Sequence, residues 1–337
     1  MNTEYWVTNF AAPDRAGRIA KRYEDDGWDG MLFTDSQHHN GDVYQSLALA
    51  SVATERIGLG TGVTNPLTRN AAVTAAAILS VQVESGGRGI LGIGRGDSSL
   101  GHLGLRPASV AVLEDYVAKV QGYLRGEAVV QNDHPAHLKW IEGIPKPPVD
   151  IAATGPRVSE VAGRVADSIT VAVGADAERM QRNIDRARSA REAAGLDPST
   201  IATGAHLNVA AHPDVAVARR VVRGSIGTMA HFSSMRGAPL DEVAASERGV
   251  VRDVGEHYQL ALHGDVRAVH LQKVDDAFID RFGVVGTPQQ VVDRLGAMLD
   301  QVPLGRVCMM HGSRGADPTE LREVRDCLAR EVLPKLR

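Results

Sequence analysis

The sequence predicts an α/β protein of the (β/α)8 TIM-barrel class. Short apolar runs without strict polar–apolar alternation recur along the 337 residues, as is typical of parallel strands buried on both faces. Each run ends in Gly, Asp, Thr or Asn, and a helical pattern follows it. The length exceeds that of an ordinary single core but suits one barrel. We therefore expect one domain over residues 1–337.

The strands and helices of the barrel can be placed in chain order. Strands are predicted at 4–9, 30–35, 57–62, 89–94, 149–154, 168–173, 201–209 and 306–310. Helices are predicted at 14–26, 43–54, 70–85, 109–125, 156–166, 177–194, 214–228 and 288–301. The start of the last helix is the best specified, because Thr287 can cap it, Pro288 takes its first position and Gln290 closes a capping box.

Two segments break the alternation of strands and helices. The stretch 127–148 is polar, irregular and contains Pro and His, and we expect it to be a loop at the C-terminal face of the barrel. The stretch 231–285 has helical patches of its own, and we expect a second insertion there that shapes a pocket or a dimer contact. The alternative fold is an open doubly wound sheet. Its first strand would lead into GxGxxG, whereas Ala11-Ala12-Pro13-Asp14 follows here.

Composition and charge exclude several classes of function. The formal net charge is −4, so the basic excess of a nucleic-acid-binding protein is missing. No apolar run reaches the ~18 residues of a membrane span, and no secretory pattern precedes the first strand. Cys308 and Cys327 are too few for a disulfide framework and lack zinc spacing. We expect a cytoplasmic homodimer that acts on a small molecule, with no metal, nucleic acid or membrane as partner.

Reactive groups of a barrel come from the C-terminal ends of its strands. Asp35, His38 and His39 follow the second strand, where a carboxylate and two imidazoles could exchange protons near neutral pH. Solvated or structural roles are the alternative for these residues. Adjacent histidines with one nearby Asp do not form a recognised zinc spacing, so a metal site is not predicted.

Two further strand ends suggest a bound cofactor. The glycines at 92, 94 and 96 would let the backbone approach a flat ring or a phosphate closely, although tight turns alone also use glycine. Thr154-Gly155-Pro156 starts a helix directly after the fifth strand, and the N–H groups of a helix start suit a phosphate. An ordinary strand-to-helix turn is the alternative at this position.

At these strand ends the sequence resembles the luciferase-like flavin and deazaflavin oxidoreductases. It is most similar to the branch of methylenetetrahydromethanopterin reductases and related coenzyme F420-dependent enzymes. The segments that carry the resemblance are IGLGTGVTNPLTRN at 57–70, GRGILGIGRGD at 87–97, DIAATGPRVSEVAGRVADSITVAVGAD at 150–176 and VGTPQQVVDRL at 285–295. The resemblance implies an enzyme that transfers a hydride between C5 of coenzyme F420 and an electrophilic carbon of a small organic substrate.

The resemblance also implies roles for individual residues. Gly62 and Val63 match a cis peptide that supports the central ring of the deazaflavin, and Asp35 matches an Asp near the ring edge. The other implied cofactor-binding residues are Thr64, Gly94, Arg95, Gly96, Asp97, Thr154, Gly155, Pro156, Val173 and Gly174. Related enzymes often have His where this chain has Ser36, so His39 and then His38 are the candidate catalytic proton donors.

Two other functions stay open at this point. The same barrel could serve an FMN-dependent monooxygenase, which shields a peroxyflavin from solvent, or a non-catalytic barrel that binds a flavin or deazaflavin. We expect coenzyme F420 in preference to FMN. Its glutamate tail carries extra carboxylates, with which Arg95 and Arg157 could pair, although solvated surface charges are the alternative for both arginines.

Overall fold

The predicted barrel is confirmed. A computed structural model of the chain describes residues 2–235 and 240–337, and in these residues eight parallel strands close into a ring. The strands are β1 Glu4–Phe10, β2 Gly30–Thr34, β3 Gly58–Thr61, β4 Gly89–Ile93, β5 Val149–Ala153, β6 Ser168–Val171, β7 Ala202–Ala211 and β8 Arg306–Met310. Each pairs with its neighbours in chain order, and β8 pairs in parallel with both β7 and β1.

Helices follow the strands at nearly the predicted positions. They are α1 Ala16–Asp25, α2 Val43–Ala53, α3 Ala71–Glu84, α4 Ser98–Gly101, α5 Val110–Leu124, α6 Pro156–Val165, α7 Ala177–Ala193, α8 Val215–Ser234, α9 Ala245–His257, α10 Asp276–Phe282, α11 Pro288–Gln301 and α12 Pro318–Cys327. The capping box that was predicted at Thr287 and Gln290 is present at the start of α11. Among the described residues, no helix is long and apolar enough to span a membrane.

The loop 127–148 lies at the N-terminal face of the barrel, so its predicted position at the C-terminal face was wrong. It follows α5, which has already returned the chain to the starts of the strands. The Gln82 side chain, which accepts the Gly89 N–H at the start of β4, donates to the Pro145 carbonyl oxygen. Lys146 donates to Asp167, the residue directly before β6. The loop carries a short antiparallel hairpin, Val129–Gln131 with His134–Ala136.

The segment 231–285 starts inside α8, which is longer than the predicted helix, and residues 236–239 lie outside the described part. The segment ends in a short strand, Val284–Gly286, that pairs in parallel with the C-terminal end of β7. Between these points, Phe232 and His263 border a cavity at the C-terminal ends of the barrel strands. This segment therefore contributes walls to the site that the strand ends form.

Glu24 of α1 fixes the start of β3, the strand that leads into the Gly62–Val63 bulge. Its side chain is buried, and Oε2 accepts the backbone N–H groups of Glu55, Arg56 and Ile57 at 2.9, 2.6 and 3.0 Å. Burial alone would raise the pKa of the carboxyl group, but these backbone donors outweigh it and hold the pKa of Glu24 below its ordinary value. The Glu24 carboxylate thus holds the backbone segment that leads into β3.

We predict that Glu24→Gln lowers the free energy of unfolding by about 1.5–3 kcal/mol at pH 7, the range for hydrogen bonds to a charged group. Because the pKa is lower in the folded state, the stabilisation is present above the ordinary pKa of a glutamate. This stabilisation is lost as the pH falls through the folded pKa of Glu24. The difference in the free energy of unfolding between the native chain and Glu24→Gln therefore becomes smaller in acid. Urea unfolding at pH 7 and in acid measures this. Glu55→Gln, at an exposed side chain, is the control, and equal stabilities of native and Glu24→Gln at pH 7 would contradict the prediction.

Candidate functional site

A cavity of about 260 Å³ opens at the C-terminal ends of the strands, where barrel enzymes hold their reacting groups. Every strand, or the residues directly after it, contributes to its walls. In chain order these are Thr8, Asp35, Val63, Gly94, Thr154, Ala172, His206 and Met310. Helix α8 and the segment after it add Met229, Phe232, Met235 and His263. The walls are thus apolar over wide stretches, with a few charged and aromatic nitrogen groups between them.

The structure brings most of the predicted site residues to this cavity. Those that line it are Asp35, His39, Gly62, Val63, Gly94, Arg95, Gly96, Asp97, Thr154 and Gly155. Five others lie outside its lining: His38, Thr64, Pro156, Val173 and Gly174. Thr64 is fully buried behind the wall, and Gly174, with φ at +77°, lies against Phe282. The functional roles of all these residues stay predictions.

The backbone at the ends of β3 and β4 forms a flat wall of the cavity. The Gly62–Val63 peptide is cis, as predicted. After it the Thr64 N–H donates to the Gly92 carbonyl oxygen, and the Gly94 N–H donates to the Thr64 carbonyl oxygen, both at 3.0 Å. A Cβ on Gly92 would lie 2.1 Å from the Thr61 carbonyl oxygen, so only glycine allows the two strands to approach this closely.

Asp35 is a buried ion-pair partner. Its Oδ2 accepts hydrogen bonds from Arg69 Nη1 at 2.5 Å and from Thr64 Oγ1 at 2.7 Å. Arg69 also pairs with Asp42, whose side chain accepts two backbone N–H groups at the start of α2. Asp35 therefore ties the end of β2 to the segment that follows the β3 bulge, and its charge is balanced inside the protein.

His39 is held in its neutral form. Arg314 Nη1 lies 2.9 Å from His39 Nδ1, and because a guanidinium only donates, Nδ1 must be the acceptor. The proton is then on Nε2, which lies 3.1 Å from Nε2 of His102. Burial, followed by the charges of Arg314, His102 and His38, lowers the pKa of His39 to about 4. At neutral pH this imidazole is therefore uncharged, and the N–H that it can offer is that of Nε2.

A cluster around Asp97 was not predicted from the sequence. His231 Nε2 and His263 Nδ1 lie 3.3 and 3.6 Å from the Asp97 carboxylate. The Tyr258 ring stacks on His231 at 3.6 Å between ring centres, and its hydroxyl lies 2.7 Å from His263 Nδ1. Burial would raise the pKa of Asp97, but the hydrogen bond from His231 and the nearby His263 lower it, so the carboxylate is charged. The only signal in the sequence was the frequency of histidine between residues 231 and 270.

Arg95 gives the cavity a second guanidinium, near the ends of β4 and β5. Its Nε donates to the Ala108 carbonyl oxygen at 2.6 Å. Burial and then the charge of Arg157 lower the pKa of Arg95. Beside them α6 begins at Gly155, a cap without a side-chain hydrogen bond. This side of the cavity therefore favours anionic groups.

A family model identifies the family of this chain, and solved structures share its fold. The sequence model described as luciferase-like monooxygenase matches residues 2–303. The 5,10-methylenetetrahydromethanopterin reductase of Methanolobus tindarius is 29% identical over 85% of this chain and 87% of its own length. Among solved structures, the coenzyme F420-dependent tetrahydromethanopterin reductase from Methanopyrus kandleri has a TM-score of 0.79 at 21% identity, over 100% of both chains. A monooxygenase from Streptomyces bottropensis has a TM-score of 0.70 at 20% identity, over 99% of this chain and 100% of its own.

We predict that Arg69→Met lowers the free energy of unfolding by about 3–5 kcal/mol, because it leaves the Asp35 carboxylate buried without its partner. Adding Asp35→Asn to that variant should recover part of the loss, since no unpaired charge then remains. Urea unfolding of the native chain, both single variants and the double variant measures the coupling. Arg188→Met, at an exposed side chain of α7, is the matched control. If the two substitutions are simply additive, the ion pair does not have this role.

Proposed function

The chain belongs to the luciferase-like monooxygenase family, and on that premise we propose that it is a coenzyme F420-dependent oxidoreductase. It would transfer a hydride between the deazaflavin and an electrophilic carbon of a small organic substrate. The curated relatives named as methylenetetrahydromethanopterin reductases support this branch of the family. The observation that carries the proposal is the cavity at the strand ends, which combines a flat glycine-lined wall with a cationic side.

The residues at the flat wall fit a planar ring system. Gly62, Val63 and Gly94 line the cavity together, and a Cβ on Gly94 would lie 3.1 Å from the Val63 side chain. Any larger residue at 94 would therefore fill the space in front of the β3 bulge. Coenzyme F420, when bound, supplies the hydride chemistry, and the protein supplies orientation and exclusion of water.

The phosphate and the carboxylates of the tail would bind at the ends of β4 and β5. Arg95 lines the cavity there, and the charge of Arg157 acts on it. The first N–H groups of α6 have no side-chain cap, so they and the helix dipole favour an anion. We propose that Thr154 and Gly155 contact the phosphate region and that Arg95 contributes to binding of the anionic tail.

His39 is the candidate for proton exchange with the substrate. It lines the cavity, whereas His38 is exposed and stacks on His102 at 5.0 Å between ring centres. Because His39 is neutral at pH 7 and its Nδ1 accepts from Arg314, it would act through its Nε2–H as a neutral donor and not as an imidazolium. Asp97 holds a negative charge at the same cavity, where it contacts His231 and His263.

The homodimer also remains part of the proposal. Helices α2 and α3 pack side by side, and their outer faces expose Leu49, Val52, Val73 and Val83. Val52 is 70% and Val73 is 56% exposed, so these are apolar groups in contact with solvent in the single chain. A second copy of the chain would cover this face.

Cys308 and Cys327 are buried and unpaired, which fits the reducing cytoplasm.

A second candidate is an FMN-dependent monooxygenase. The description of the family and the fold shared with the Streptomyces bottropensis monooxygenase favour it. FMN has a planar tricycle and a phosphate as well, so the flat wall and the start of α6 fit both cofactors. Only the anionic tail of coenzyme F420, to which we assign Arg95 and Arg157, distinguishes the two.

We predict that the protein binds coenzyme F420 more tightly than FMN and that salt reduces the difference, because the extra contacts are ion pairs near the surface. Arg95→Ala should weaken F420 binding roughly two- to fivefold and affect FMN less. Fluorescence titration of each cofactor at low and high salt measures both effects, with Arg188→Ala as control. Tighter binding of FMN would favour the monooxygenase, and binding of F420 without turnover of any electrophile would favour a non-catalytic barrel.

We predict that the native chain is a dimer by light scattering and that replacing both Val52 and Val73 by Lys makes it a monomer. Charges placed on an apolar interface are costly to bury, whereas both positions are exposed in the single chain and the fold should persist. Val130→Lys, at an exposed apolar residue of the hairpin, is the control and should remain dimeric. A monomeric native chain, or a dimer that tolerates both lysines, would contradict this interface.

A further inference from the structure

Arg314 is a cavity residue whose position is fixed by its backbone. It follows β8 and lines the cavity. Its N–H donates to the Gly264 carbonyl oxygen at 2.8 Å, and its own carbonyl oxygen accepts the Val266 N–H at 3.0 Å. These two hydrogen bonds hold the main chain on both sides. The side chain is therefore presented to the cavity from a rigid support rather than from a free loop.

Arg314 forms no salt bridge with a carboxylate in residues 2–235 and 240–337. Its two side-chain hydrogen bonds there both leave from Nη1, to His39 Nδ1 at 2.9 Å and to the His263 carbonyl oxygen at 3.3 Å. The charge of Arg314 contributes to the lowered pKa of the neighbouring Asp265, but that carboxylate is bound by Arg267, which donates to both of its oxygens and through its backbone N–H. The Asp97 carboxylate contacts His231 and His263 instead. The guanidinium thus retains unused N–H donors at the cavity wall.

Arg314 lies on the side of the barrel away from the proposed binding site of the cofactor tail. Arg95 and Thr154 follow β4 and β5, whereas Arg314 follows β8, half a turn around the ring of strands. Near it the wall is apolar and aromatic. Phe232 lies 6.1 Å from the His263 ring, and Met229 and Met235 line the same cavity. A ligand at this side would meet one cation and several large apolar side chains.

We propose that Arg314 binds a carboxylate of the substrate, so that the substrate class is an organic acid with an apolar body. The planar guanidinium matches a carboxylate through two parallel N–H donors, and the apolar walls accept the rest of the molecule. The inference rests on the proposed function only in assigning the β4–β5 side to the cofactor. Arg314 is then a specificity-determining residue of the cavity.

The test compares 3-phenylpropanoate with its amide, which has the same shape without the charge. Calorimetric titration of the native protein, with and without coenzyme F420, should show the carboxylate binding at least about tenfold more tightly, the scale of a charge-assisted pair. Arg314→Gln should remove this preference and leave the affinity for the amide unchanged. A purely structural role of Arg314 would weaken both probes equally. Arg322→Gln, at an exposed arginine of α12, removes the same charge far from the cavity and should keep the preference.

The outcomes separate this proposal from the proposed function. Equal affinity of the native protein for both probes, or an unchanged preference in Arg314→Gln, would overturn the role of Arg314. If circular dichroism shows that Arg314→Gln does not fold, Arg314→Lys decides. If Arg314→Lys prefers 3-phenylpropanoate over its amide severalfold less than the native protein does, the proposal is supported, because a lysine cannot make the paired contact. An unchanged preference overturns it. Failure of F420 to bind, seen by its fluorescence, would refute the proposed function, while the protein without cofactor still reports on Arg314.

Discussion

Successive parallel strands must be joined by a crossing that returns the chain to the opposite face, and this constraint determines where everything else in the molecule lies. A segment directly after a strand lies at the C-terminal face, and a segment directly after a returning helix lies at the N-terminal face. Asp35, Gly94 and Thr154 are neighbours in the cavity for the first reason. The loop 127–148 lies far from them for the second, because it comes after α5 rather than after β4. Its histidines and its irregular composition resembled those of a site loop, but its place in the order of elements excluded that position.

The order of elements could be predicted from the sequence, whereas the contacts across the cavity could not. Parallel strands buried on both faces give continuous apolar runs, and caps such as Thr287 mark helix starts, so most boundaries agree with the structure to within a few residues. The distant contacts carry no such local signal. His39 and Arg314 are 275 positions apart, and His231 and Asp97 are 134 apart. Whether such residues come into contact depends on which side chains point toward one another once the barrel is closed. For the same reason Thr64, one residue from the predicted ring contact, is instead a buried hydrogen-bond donor to Asp35.

The charged groups around the cavity differ in how they are held. The Asp35 carboxylate is balanced by Arg69, and Asp97 is surrounded by His231 and His263. Arg95 follows β4 and Arg314 follows β8, on opposite sides of the ring of strands. A guanidinium in a partly buried site attracts an anion more strongly than it would in water. A cavity with guanidinium groups on two sides, separated by backbone and apolar side chains, suits two anionic ligands at once, a cofactor tail at one side and a substrate acid at the other.

The contact between Arg314 and His39 joins substrate binding to proton uptake. Burial is the largest cause of the low pKa of His39, and the charge of Arg314 is the next largest. A carboxylate bound to Arg314 would offset that charge, so the pKa of His39 would rise, although burial would still hold it below the ordinary value. The imidazole could take up a proton on Nδ1 only where the bound carboxylate draws the Arg314 guanidinium away from that nitrogen. The same guanidinium would thus select the substrate and adjust the group beside it. This explains why a guanidinium that forms no salt bridge within residues 2–235 and 240–337 has a place at the wall of a largely apolar cavity.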